Sequence, residues 1–319
     1  MQKKKKDSPL KNALIVSCFV CAAGSFGAFF HWLQNMLSYE KDSVSYLIVP
    51  TAWPYIIPLY ILAACVLFAA LIKWLGKKGY TPPEDMRSVF HGKTLIFPAA
   101  MWVIGILEVI GGIVTLAGIS PTDDKPMLVL IGLLAIASGL CFAPTCTSSK
   151  RRFSPGLVCV FMAFPILLFC AWLIYSYKTY STLPEIWVYA IEVIGVCVCI
   201  FAFFFNTGYP ADRAKPRRSM FFSMLGTFFC FMMLADSRSA GLQIILFASG
   251  VMLLAENWMI ISNSLSSEDR EKLEKKNAAA KKVPAPEDSA PDGNESVLSP
   301  GGETENAPTL EFFDNDTKQ

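Results

Sequence analysis

The chain has 319 residues, of which 53% are hydrophobic and 17% charged, with a formal net charge of +2. That composition excludes a soluble domain of ordinary make-up. All ten cysteines fall in or at the edges of apolar runs, where cysteine acts as a small hydrophobe, so no disulfide framework is expected.

A helix needs ~20 apolar residues to cross a hydrocarbon core. Eight segments reach that length or come near it, at 12–36, 54–75, 94–118, 127–146, 156–177, 184–206, 219–235 and 241–262. The predicted fold class is an all-α, polytopic helical membrane protein with eight transmembrane helices and both termini cytoplasmic. The first segment follows a basic start and contains "IVSC", which resembles a lipoprotein cleavage box. Only six residues separate Lys11 from Cys18, however, and the apolar run continues to Met36, so a retained helix is expected rather than a cleaved signal. Pro50, Pro54 and Pro58 interrupt the run that opens the second segment. Proline is tolerated in a first helical turn and costly further in, which places the helix start near Pro54 and Trp53 at the boundary. The seventh segment is the shortest.

The connections alternate in charge. Seventeen Lys and Arg lie at the N-terminus and in the connections after the second, fourth and sixth segments. Each of the other four connections carries one, namely Lys41, Lys125, Lys178 and Arg238. Lys and Arg concentrate on the cytoplasmic side, so the basic connections are expected inside and the partner of the bundle is the lipid bilayer. These loops report topology and headgroups rather than nucleic acid.

Beyond the last segment, residues 263–282 have the composition of a charged juxtamembrane helix. From Val283 onward there are nine acids and one lysine among prolines, glycines and serines, the composition of a disordered acidic tail. Its one aromatic island, "TLEFFDND", offers Leu310, Phe312 and Phe313 as a docking motif for a cytoplasmic protein partner.

Three acids fall within the predicted spans. Glu256, near the cytoplasmic end of the last, is expected to reach the interface and serve a structural role. Glu108 and Glu192 each sit in the same local sequence, "EVIG", at a predicted depth of ~12–15 Å from the outer side. An ionised acid at a helix centre costs ~3 kcal/mol, so both are expected to face the bundle interior, where, if close, they share a proton. Gly105, Gly111, Gly112 and Thr115 lie on or beside the Glu108 face and let a neighbouring helix approach. Glu185, Tyr189, Glu192, Gly195 and Cys199 form one stripe, while His31, Gln34 and Asn35 crowd the outer end of the first span. Together these predict a polar vestibule, with Glu108, Glu192, Tyr189, Glu185, His31 and Gln34 as ligand- or ion-binding candidates. The repeated "EVIG" suits an inverted repeat, but "ASG" at 137–139 and 248–250 implies a different scheme, and no repeat is assigned.

No histidine-rich metal motif and no phosphate-binding glycine loop occurs, and only His31 and His91 are present; no cofactor, metal or catalytic residue is expected. Two functions follow from these residues. One is a proton- or cation-coupled transporter or permease of a small solute. The other is a non-transporting sensor, assembly factor or accessory subunit recruiting partners through its acidic tail. An enzyme ranks last, for want of a nucleophile and base.

Overall fold

The computed structural model describes residues 9–37, 39–41, 46–48, 52–89, 96–120, 124–146, 153–180 and 189–266. In chain order these form α1 (Pro9–Leu37), β1 (Tyr39–Lys41), β2 (Tyr46–Ile48), α2 (Trp53–Lys77), β3 (Tyr80–Thr81), α3 (Met86–Val89) and α4 (Ile96–Ala117). There follow α5 (Lys125–Cys146), α6 (Pro155–Tyr180), α7 (Ala190–Thr207), α8 (Pro216–Met233), α9 (Ala240–Ser262) and β4 (Leu265–Ser266). The architecture is all-α apart from two antiparallel pairs of short strands, β1 with β2 and β3 with β4. The first pair lies within the expected outer segment. The second pairs Leu265 and Ser266, at the start of the segment expected as a charged juxtamembrane helix, with the strand after α2. Residues from 267 on, including Leu310, Phe312 and Phe313, lie outside the described residues, as does Glu185.

Seven of the helices, α1, α2, α4, α5, α6, α7 and α9, are long and apolar enough to cross a membrane, which makes this a multi-pass helical membrane architecture. The proline pattern of α2 works as its chemistry requires: the helix starts at Trp53 with proline in its first turn, where no amide partner is lost. The remaining long helix, α8, coincides with the expected seventh span but is less apolar. Pro216, Arg217 and Arg218 in its first turn lower its mean hydropathy, and its packing tolerates the polar residues that follow. Ser219, Ser223 and Thr227 are all fully buried against other helices, and α8 contributes no exposed large hydrophobic residue among those described. A helix sheathed by other helices does not need the all-round apolar surface of one facing lipid.

The helices α4 to α9 each pack on the next, and α9 returns to α4, closing a ring of six; α1 packs on α8 and α9, and α2 on α1 and α8. Glycine sets the tightest seams. A Cβ on Gly105 would lie 2.5 Å from the Gly139 carbonyl oxygen and one on Gly112 2.6 Å from that of Gly132, so α4 and α5 touch backbone to backbone. On its other side α4 meets α9, where Gly111 faces Ile245 and Gly241 faces Thr115.

Polar contacts gather the helix ends into two groups. At one, the His31 end, the tip of α1 meets the turn between α8 and α9. At the other, the Asn206 end, the end of α7 meets the start of α8, Lys78 Nζ donates to Asn12 Oδ1 (3.4 Å), and Asn263 Nδ2 donates to the Val89 carbonyl (2.6 Å).

Candidate functional site

The interior of the six-helix ring holds three buried carboxylates at three levels, each with a different set of partners. At the His31 end the chain after α8 winds down through Leu234, Ala235 and Asp236, whose amides bond to carbonyls three residues back. This turn carries Asp236 and Arg238 into the bundle. His31 Nε2 donates to Asp236 Oδ1 (2.7 Å), Asn35 Nδ2 donates to the same oxygen (3.2 Å), and Gln34 Oε1 lies 3.2 Å from His31 Nδ1. Arg238 Nη2 donates to Asp236 Oδ2 (2.7 Å) and Glu192 Oε2 (2.8 Å). Glu192 Oε1 accepts from Trp172 Nε1 (2.8 Å) and Ser176 Oγ (2.6 Å). The Arg238 guanidinium also lies 5.9 Å from the Trp172 ring centroid. One unbroken chain of hydrogen-bonded charge thus joins α1, the α8–α9 turn, α7 and α6.

Two carboxylates share one guanidinium here, and the imidazole of His31 supplies the other contact. Burial alone would raise the Asp236 carboxyl. The hydrogen bond from His31, the Arg238 guanidinium and the Asn35 amide outweigh it, and the group is held below the usual carboxylate range. Arg238, 5% exposed, also borders a cavity of about 170 Å³ lined by Thr115, Gly118, Tyr175, Ser237, Ser239 and Leu242. That is room for several waters or a small solute.

Midway along α4, Glu108 is fully buried and takes its hydrogen bonds from Ser249 Oγ of α9, at 3.1 and 3.4 Å. No cation reaches it among the described residues. At the Asn206 end, Asn206 Nδ2 donates to Glu256 Oε2, while the side-chain oxygen Asn206 Oδ1 accepts from the Ser219 and Ser223 hydroxyls. Glu256 is 3% exposed, so it is held inside the ring by α7 rather than reaching an interface.

The structure brings His31, Gln34 and Glu192 into one network and leaves Glu108 in another. The two glutamates have no partner in common. Their depths differ as well: α7 begins at Ala190 rather than near 184, so Glu192 lies in its first turn, whereas Glu108 is roughly 13 Å from the end of α4 at Ala117. Tyr189 is half-buried at the position before α7. The lower part of the expected stripe turns away from the vestibule, since Gly195 packs on Met233 and Cys199 on Cys230 of α8. Asp236 and Arg238 were not among the expected site residues. The available signal was "ADSRS", two opposite charges within one very short apolar-flanked turn, where Arg238 was counted only as that turn's single cation. Asn206, the one amide within its apolar run, was legible in the same way. Among the described residues no three His, Cys, Asp or Glu side chains gather as a metal site. No protein family model, curated protein or solved structure matches the chain.

Proposed function

We propose that this chain is a cell-membrane transporter or permease for a small solute, coupled to a proton or another cation. It spans the bilayer eight times, with α8 as the sheathed span, the His31 end outward, and the basic connections and both termini cytoplasmic. The exposed apolar side chains of the peripheral helices, such as Leu59, Val66, Val103 and Leu133, then face lipid.

The observation that carries this reading is the roughly 170 Å³ cavity at the His31 end, whose wall includes Arg238, the cation through which the charge chain links to Glu192 and, by way of Asp236, to His31. Ion pairs buried this deeply in a membrane bundle mark pathways and relays more often than they add stability. A solute entering there meets a guanidinium already shared between two carboxylates. Protonating either carboxylate, or replacing it with a ligand group, releases Arg238 and loosens the contact among α1, α6 and α7. Glu108, further along the ring and bonded only by a hydroxyl, supplies a second station for a cation.

The test is reconstitution of the purified chain in liposomes, with a panel of radiolabelled amino acids, small carboxylates and sugars offered under an inward proton or Na⁺ gradient. At least one solute is expected to accumulate, with Glu192→Gln and Glu108→Gln reducing the rate while inserting normally. Unimpaired uptake in both variants would sink the role given to the acids. Should nothing accumulate, and should removing residues 283–319 abolish the protein's effect in cells, a non-transporting platform acting through its tail is the better account.

A further inference from the structure

We infer that the cavity beside Arg238 is a carboxylate site, so that the solute is a small monocarboxylate and binds together with one proton. The inference names the substrate of the transporter reading and rests on it for the coupling; the binding itself is measurable without transport.

The cavity of about 170 Å³ is bordered by α4, α5, α6 and the turn into α9. Arg238 is the one charged side chain among its described lining residues, and no acid stands on that wall. The hydroxyl-bearing Tyr175, Ser237 and Ser239 surround it, and Leu128 and Leu242 complete an apolar part. Ser237 and Ser239 are exposed, so the cavity opens to water at the His31 end. An amine would meet only a like charge here, whereas a carboxylate matches the planar fork of a guanidinium. Both acids of the network bond to one nitrogen of that fork, Nη2, at 2.7 and 2.8 Å. Nη1 donates to the Met233 carbonyl at 3.4 Å, a long bond that a carboxylate outcompetes. A cavity of about 150 Å³ holds benzene, so the tail on the carboxylate is short, and the two leucines suit an apolar one.

The charge count decides what accompanies it. Asp236 and Glu192 already face Arg238 and, by way of Asp236, His31. Lys178 of α6 and Asp124 ahead of α5 balance each other. A third carboxylate exceeds the cations of the network even with His31 protonated, and carboxylates crowded round one cation in a desolvated site do not all stay ionised. Asp236 keeps its charge. Burial acts to raise it, but the His31 hydrogen bond, the Arg238 guanidinium and the Asn35 amide together hold it below the usual carboxylate range. Glu192 is the acid that gives way, since Arg238 is its one cation among the described residues. Trp172 Nε1 and Ser176 Oγ both donate to Glu192 Oε1, whereas Arg238 holds Oε2. The incoming carboxylate takes the place of Oε2 on the guanidinium, a proton from the water at the mouth goes to Oε2, and the two bonds to Oε1 persist. One anion and one proton enter together, and the net charge of the site is unchanged.

The experiment is isothermal titration calorimetry of the full chain in detergent, in buffers of different ionisation heat so that protons are counted. The probes are butyrate and benzoate, the neutral amide of each, and butylammonium. Both acids are expected to bind with uptake of one proton, their affinity rising by up to about ten-fold per unit fall in pH. The amides and butylammonium should bind at least about ten-fold more weakly, the loss of one charged contact. Glu192→Gln should bind butyrate more tightly and without proton uptake. Ser237→Trp, a bulky side chain at an exposed rim position, should weaken butyrate binding. An amide or butylammonium binding as tightly as the acids would overturn the site, as would binding of neither acid or binding of the acids without a proton. Undiminished proton uptake in Glu192→Gln would overturn the role given to that residue. If that variant does not fold, the proton count on the native chain and Ser237→Trp decide, and unchanged affinity in Ser237→Trp overturns the site. Liposome uptake separates the two readings: transport of another solute without carboxylate binding removes the site and leaves the transporter, and carboxylate binding without transport does the reverse.

Discussion

Arg238 is the residue on which the His31 end depends. Its guanidinium serves Asp236 and Glu192 at once, so replacing it strands two carboxylates. Breaking a buried pair from one side costs ~3–5 kcal/mol, because the remaining charge is left uncompensated. Arg238→Leu is therefore expected to lower Tm in detergent sharply, while the double variant Arg238→Leu with Glu192→Gln recovers part of the loss; a Tm unchanged from the native value would show that the network contributes nothing. Lysine, a point charge rather than a planar fork, should serve only one of the two acids and fall between. Asp236 makes the same network pH-dependent. Its folded-state pKa is depressed below the unfolded value of ~3.9, so its contribution is complete above that value and is lost as pH falls through the folded pKa. Asp236→Asn should flatten the acid limb of a stability–pH profile while leaving its neutral region sloping as before. That Glu192 would meet Arg238 was not legible in the sequence, because the pairing is made by the fold between residues far apart in the chain. What the sequence did carry was the need for a partner: an acid in an apolar run must find one.

At the level of helices, the seams of α4 are where sequence and packing agree most closely. Gly105 and Gly112 were readable as a close-approach face, and both meet the backbone of α5. A methyl at Gly105, or at Gly139, whose Cβ would lie 2.4 Å from the Gly105 carbonyl, cannot be absorbed by moving a side chain. Gly105→Ala and Gly139→Ala should each cost ~1–3 kcal/mol, the range for overpacking. Gly76 in α2 has nothing within 4 Å of a built Cβ, so Gly76→Ala should be neutral or stabilise by up to ~1 kcal/mol through helix propensity. The pair is checked by Tm in one detergent, and equal effects at Gly105 and Gly76 would contradict the seam. The start of α7 was less legible. "EIWVY" ahead of Ala190 is apolar enough to count toward a span, and composition does not mark where an apolar run becomes helical. The two-residue depth of Glu192 below that start, and with it the loss of a level shared with Glu108, follows from that single boundary.

For the molecule as a whole, the crossing number rests on α8, the helix whose composition alone does not qualify it. In the proposed topology it crosses alongside its neighbours. The helices α7 and α8 have 18 residues each, roughly 27 Å, close to the ~30 Å of a hydrocarbon core. They are joined at both ends. Asn206 at the end of α7 bonds Ser223 and Ser219 near the start of α8, and Glu192 at the start of α7 bonds Arg238 just beyond the end of α8. Two antiparallel helices of equal length, tied at top and bottom, occupy the same level of the bundle, and α7 is apolar enough to cross, which is why the proposed topology counts α8 with it. The low hydropathy of α8 comes chiefly from Pro216 and the exposed Arg217 and Arg218 of its first turn, while Ser219, Ser223 and Thr227 beyond them are turned inward. In the proposed topology the charge bias gives the sense: Arg213 and Lys215 precede α8, Arg217 and Arg218 lie in its first turn, and Arg238 alone follows it. A reporter active only in the cytoplasm should therefore work when fused after Asp212 and fail after Ser239, and a reporter active only outside should do the opposite. If both fusions report the same side, α8 does not cross and the proposed eight-span topology fails.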